Sequence, residues 1–115
     1  MVQVTMQVPD ELAERLQSIE RWLPTVLELG LVGFKTPATE TAAEIIEFLA
    51  TDPSREAVLE YHVSERAQAR LQRLLTLGGA GLLGEAEQRE LDELQAIEHV
   101  VIMLKAQIAA EVQGA

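Results

Sequence analysis

The chain contains no cysteine. That excludes a disulfide framework and a thiolate metal centre. Aromatic residues are almost as scarce: Trp22, Phe34, Phe48 and Tyr61 are all of them. The core of this 115-residue chain must therefore be built from Leu, Val, Ile and Ala. Such a composition suits helix-on-helix packing better than a β-sandwich. Basic residues are also few, nine Lys and Arg against nineteen Asp and Glu, for a net charge of −10. A chain this acidic is repelled by a nucleic-acid backbone unless its charge is segregated or a partner screens it. No apolar run approaches a membrane span. No basic segment leads into an apolar run near the N-terminus, as a secretory signal would require. The expectation is a cytoplasmic protein of one-domain size with no membrane partner.

Catalytic chemistry has little to stand on. His62 and His99 are the two histidines, and neither lies in a zinc-binding pattern such as His-Glu-x-x-His. Glu98 and His99 are adjacent, so their side chains diverge on a helix. Gly78-Gly79-Ala80-Gly81 is followed by no Lys-Ser or Lys-Thr, which a phosphate loop needs. Carboxylates abound, but none sits in an apolar setting that would tune an acid. No enzyme activity, cofactor or metal is expected.

Residues 2–8, Val-Gln-Val-Thr-Met-Gln-Val, alternate apolar and polar. Period two predicts a strand with Val2, Val4, Met6 and Val8 on one face and Gln3, Thr5 and Gln7 on the other. A lone strand needs a partner for its backbone groups, most simply the same strand of a second copy. The first set are then the dimerisation candidates, and a homodimer is expected. Pro9 stops the strand and opens a helix with Asp10 and Glu11 in its first turn, continued by Leu12, Leu16, Ile19 and Leu23. Pro24 ends or kinks it, and residues 25–34 read as a short second helix. Thr41 and Glu44 have capping-box spacing at the head of a third. Thr51-Asp52-Pro53 is a fresh helix start, and Ser64 caps a helix that Gly78 and Gly79 end. From about Gly84 to Val112 there is no Gly or Pro inside one long helix. Leu94, Ile97, Val101, Leu104 and Ile108 give it a heptad-like seam. The short connection predicts an antiparallel hairpin of the last two helices.

A strand, a proline, an amphipathic helix and a second short helix resemble the ribbon-helix-helix fold. The likeness rests on Val-Gln-Val-Thr-Met-Gln-Val followed by Pro-Asp-Glu-Leu-Ala-Glu-Arg-Leu, within residues 2–34. It implies a paired ribbon entering the DNA major groove, with Gln3, Thr5 and Gln7 as the base readers. The helix start at Thr25 is a candidate phosphate contact through free backbone N–H groups. The sequence departs from that family in two ways: its inter-helix turn, residues 20–25, has no Gly, and its strand has no Arg or Lys. A ribbon used only for dimerisation is the alternative. The chain beyond also resembles small bacterial antitoxin-like proteins. The residues that carry this are Leu-Pro-Thr-Val-Leu-Glu-Leu-Gly-Leu at 23–31, Ile-Ile-Glu-Phe-Leu-Ala at 45–50, Arg-Leu-Gln-Arg-Leu-Leu at 70–75, Glu-Gln-Arg-Glu-Leu-Asp-Glu-Leu at 87–94 and Glu-His-Val-Val-Ile-Met-Leu-Lys-Ala at 98–106. That resemblance implies operator binding by residues 1–34 and neutralisation of a toxin or nuclease by residues 35–115.

Charge is unevenly spread: −2 over residues 1–36, −5 over 37–63, +2 over 64–83 and −5 over 84–115. The one basic stripe is Arg66, Arg70 and Arg73, at i, i+4 and i+7 of a helix. It is a candidate for binding a phosphate or an acidic partner. The alternative is pairing with Glu87, Glu90, Asp92, Glu93 or Glu98 on the long helix, with Glu90 and Glu93 as further partner-binding candidates. The acidic surface could cover a basic nuclease, or serve solubility alone. The expected fold is mostly α: an N-terminal β-strand of ribbon-helix-helix type, then a helical region ending in a long-helix hairpin. Its expected function is antitoxin-like, with a DNA-free protein-interaction module or adaptor as the alternative.

Overall fold

The computed structural model describes residues 2–114. Six α-helices follow one another: α1 Asp10–Leu16, α2 Leu23–Val32, α3 Ala38–Ala50, α4 Arg55–Glu60, α5 Glu65–Gly79 and α6 Glu85–Gly114. The long uninterrupted tract does form one helix of 30 residues. At 1.5 Å per residue it is about 45 Å long, close to the molecule's longest extent of 47 Å. Helices α2, α3, α4 and α5 all pack against it. Its seam supplies much of the core: Leu94, Ile97 and Ile108 are buried, and Val101 and Leu104 pack against them. Leu29 of α2, Ile45 and Leu49 of α3, Val58 of α4 and Leu74 of α5 belong to the same cluster. Leucine, isoleucine and alanine dominate it, with Trp22 the one aromatic side chain fully inside.

The N-terminal strand is the main correction. No strand is assigned among the described residues, and residues 2–9 form an arm outside any helix. Val2, Val4 and Met6 are 92, 78 and 56 % exposed. Period-two alternation selects a face only when a sheet exists to receive it. The chain offers no second strand, so the pattern finds no ladder. A ribbon-helix-helix architecture is therefore not what this chain folds into. Helix α1 contains no fully buried residue and touches the core through Leu16 at its end.

The predicted first helix also divides. It stops at Leu16, a single 3-10 turn covers Glu20–Trp22, and α2 then starts at Leu23. Pro24 sits in the first turn of α2, where its missing N–H costs nothing, so it opens a helix instead of closing one. Gly33, in the left-handed region at φ 70°, ends α2. Ser64 caps α5 as expected, accepting from the Ala67 N–H at 3.2 Å. Helix α5 takes in the expected stop pair and ends on Gly79. Gly81 at φ 72° turns the chain, while Leu82 N–H bonds Leu77 O and Gly81 N–H bonds Gly78 O. This is a Schellman closure, and only glycine adopts its left-handed position without strain. It returns the chain as α6 packed on α5.

Candidate functional site

Helix α5 places Arg66, Arg70 and Arg73 along one wall of an open cleft of about 410 Å³. Helix α3 provides the opposite wall through Glu40, Thr41 and Glu44, and α6 contributes Glu90 and Leu94. The spacing that defined the basic stripe is thus what brings three guanidinium groups to one groove. They do not share one role there. Arg70 makes a bidentate pair with Glu90: Nε donates to Oε2 at 2.7 Å and Nη2 donates to Oε1 at 2.9 Å. The Glu90 side chain is 8 % exposed and that of Arg70 is 40 %. The hydrogen bonds from Arg70 hold the Glu90 carboxyl below its ordinary pKa, against the opposing effect of burial. The same bonds, offset in part by desolvation, raise the pKa of Arg70. Arg66 makes a looser contact with Glu40 at 3.7 Å, with both side chains mostly exposed. Such a pair is worth about 0–1 kcal/mol. Arg73 has no ion pair among the described residues.

Glu93 is one turn along α6 but points to other work. Its Oε2 accepts from Lys35 N–H at 3.0 Å, and its Oε1 accepts from Thr36 N–H at 3.2 Å and from Thr36 Oγ1 at 2.7 Å. Thr36 Oγ1 in turn accepts from Ala38 N–H at 3.2 Å, satisfying the first turn of α3. A carboxylate of the long helix therefore fixes the connector and the start of α3. The capping-box reading at Thr41 and Glu44 is corrected accordingly: both lie inside α3, and Thr41 is buried. The signal that marks the true start is Thr36-Pro37, a capping side chain followed by a proline. The start of α4 likewise lies just beyond Thr51-Asp52-Pro53, since Ser54 caps it. Glu44 receives a weak bond from Ser64 Oγ at 3.4 Å.

Tyr61 was not singled out by sequence, yet it organises the next segment. Its ring stacks on Phe48, centroids 4.4 Å apart. Its backbone oxygen accepts from Lys105 Nζ of α6. Burial, and then repulsion from Glu44, pushes the phenol above its ordinary pKa.

The arm residues Gln3, Thr5 and Gln7 are all exposed, as are Val2, Val4 and Met6, while Val8 is half-buried. Thr25 is 8 % exposed within α2, so it offers little open surface for a phosphate. It lines a second cleft, of about 180 Å³, with Trp22, Arg21, Arg55 and Gln107. The indole Nε1 of Trp22 is buried and has no hydrogen-bond partner among the described residues. An unpaired buried donor costs about 1–3 kcal/mol.

Among the described residues, no group of three or more His, Asp and Glu side chains could hold a metal ion. No helix among these residues is long and apolar enough to cross a membrane. No family model, curated protein or solved structure matches the chain.

Proposed function

We propose that the chain is a protein-interaction module whose acidic helical surface receives a basic partner protein, the neutralising half of an antitoxin-like role. The observation that carries this is the imbalance of pairing. Of nineteen acidic side chains, three form ion pairs with an arginine among the described residues: Glu40, Glu90 and Glu111. Glu47, Asp52, Glu56 and Glu60 make one unpaired group, all exposed on the end of α3, the turn and α4. Arg55 is the single cation in that stretch, and it turns to Glu111. Charge of this kind speeds encounter with a basic surface, while apolar contacts set how long the complex lasts. Exposed apolar side chains to supply them are present in Val2, Val4 and Met6 of the arm and Leu31 of α2.

The proposal assigns operator DNA no role. The arm has no Arg or Lys, so it lacks the groups that neutralise phosphates and dominate DNA affinity.

The test begins with the full chain, tagged and recovered from its own cells at low salt. A co-purifying protein is identified, produced separately and titrated against three forms of the chain. Replacing Glu47, Asp52, Glu56 and Glu60 by Gln or Asn should slow association about tenfold or more. Deleting residues 2–8 should speed dissociation and leave association nearly unchanged. An acidic partner, or association indifferent to both salt and the neutralised variant, would defeat the proposal.

A further inference from the structure

The cleft between the start of α2 and the C-terminal third of α6 differs in charge from the acidic stretches of the surface. Arg21, Trp22, Arg55, Gln107, Leu104 and Ile108 line it. Its polar groups are mainly donors, and two are cations. Glu111 is the one carboxylate in its wall, 3.7 Å from Arg55. On a molecule of net charge −10 this small lining carries an excess of one positive charge. The Arg21 guanidinium lies over the Trp22 ring, 5.9 Å from its centroid. Trp22 is 5 % exposed, and its Nε1 donor is buried without a partner among the described residues.

We propose that this cleft binds a short aliphatic monocarboxylate. The carboxylate would take hydrogen bonds from the Arg55 guanidinium, with the Gln107 amide as a further donor. Leu104 and Ile108 give the hydrocarbon part an apolar wall. One excess positive charge matches a singly charged group better than a phosphate dianion. The volume of about 180 Å³ falls below the ~300–1,000 Å³ typical of sites for drug-sized ligands. A molecule of a few carbon atoms is the fitting class.

The chain has one tryptophan, so a nitrogen-15-labelled sample gives one indole N–H resonance. The full-length protein is titrated at neutral pH and constant ionic strength with sodium butyrate, with butyramide and with sodium phosphate. Butyrate should move the indole resonance saturably, and butyramide of the same shape should not. Arg55→Gln should weaken butyrate binding roughly tenfold. Glu111→Gln, at an exposed position, should tighten it by freeing Arg55. The proposal is overturned if butyrate gives no saturable movement, if butyramide binds as well, or if phosphate binds as tightly as butyrate. It is also overturned if both variants bind butyrate as the wild type does.

Discussion

At the residue scale, Arg70 and Glu90 show how a surface stripe becomes a structural joint. Glu90 is buried and Arg70 is not, so the two substitutions are unequal. Arg70→Met should leave a buried carboxylate without its donor, costing about 1–3 kcal/mol at neutral pH. Arg70→Met with Glu90→Gln should recover part of that loss, because no charge is left stranded. Urea denaturation of the three variants measures both effects. The pH dependence follows from sign. In the wild type the Glu90 carboxyl is lowered, first by hydrogen bonding to Arg70. Its stabilising contribution is therefore present above the unfolded value of about 4.3 and is lost as pH falls through the folded value. In Arg70→Met, burial is no longer opposed by the guanidinium, so the carboxyl pKa should rise. That variant should regain stability relative to wild type as pH drops from 7 towards 5. A stability gap that stays constant over that range would contradict the assignment. Glu93 invites a simpler experiment. Glu93→Ala removes four hydrogen bonds to Lys35 and Thr36. It should loosen the connector and the first turn of α3, seen as faster amide exchange at residues 35–39 than at the core of α6.

At the element scale, stability is concentrated in the long helix and thins towards the N-terminus. Helix α1 has no buried residue, and the arm before it lies outside any helix or strand. Deleting residues 2–8 should therefore change unfolding free energy by no more than about 0.5 kcal/mol, and limited proteolysis should remove the arm first. A deletion that unfolds the protein would show that the arm is part of the core. This is also where sequence reading and structure diverge. The seam of α6 was legible because 3.6-residue periodicity within one uninterrupted tract is a property of the helix itself. Ser64 was legible because a cap acts within its own turn. The arm was misread because a strand is a statement about a partner, and the alternation at Val2, Val4, Met6 and Val8 says nothing about whether one exists. Arg70 lay on a visible stripe with Glu90 among its five expected partners on the long helix, but which of the five it takes depends on how α5 and α6 meet. Thr36 and Glu93 are separated by 57 residues, beyond any local pattern. The second cleft joins Trp22 to Gln107, and no motif links them.

At the scale of the whole molecule, the dominant facts are elongation and charge. The radius of gyration is 16.0 Å, against about 13 Å for a spherical domain of this length. A 30-residue helix with shorter helices along it gives a thin core and a large acidic surface. Most carboxylates have no ion pair among the described residues, so their mutual repulsion acts on the folded form at neutral pH. Repulsion between charges is stronger in the compact state than in the expanded chain. Added salt screens it, with a Debye length of about 10 Å at 0.1 M and about 3 Å at 1 M. The melting temperature should therefore rise with sodium chloride, steeply at first and then levelling. A gain of roughly 1 kcal/mol would appear as about 4 °C or more. The Arg70–Glu90 pair works slightly against this trend, but Glu90 is shielded from solvent and few other pairs exist to be screened. Comparing chloride with sulfate separates screening from salting-out, since sulfate continues to stabilise at concentrations where screening is complete. Charge neutralisation provides the matching control. Replacing Glu47, Asp52, Glu56 and Glu60 by neutral isosteres should raise the low-salt melting temperature and flatten its salt dependence. If the wild type melts at the same temperature from low to high chloride, or melts lower as salt is added, self-repulsion is not what limits this fold.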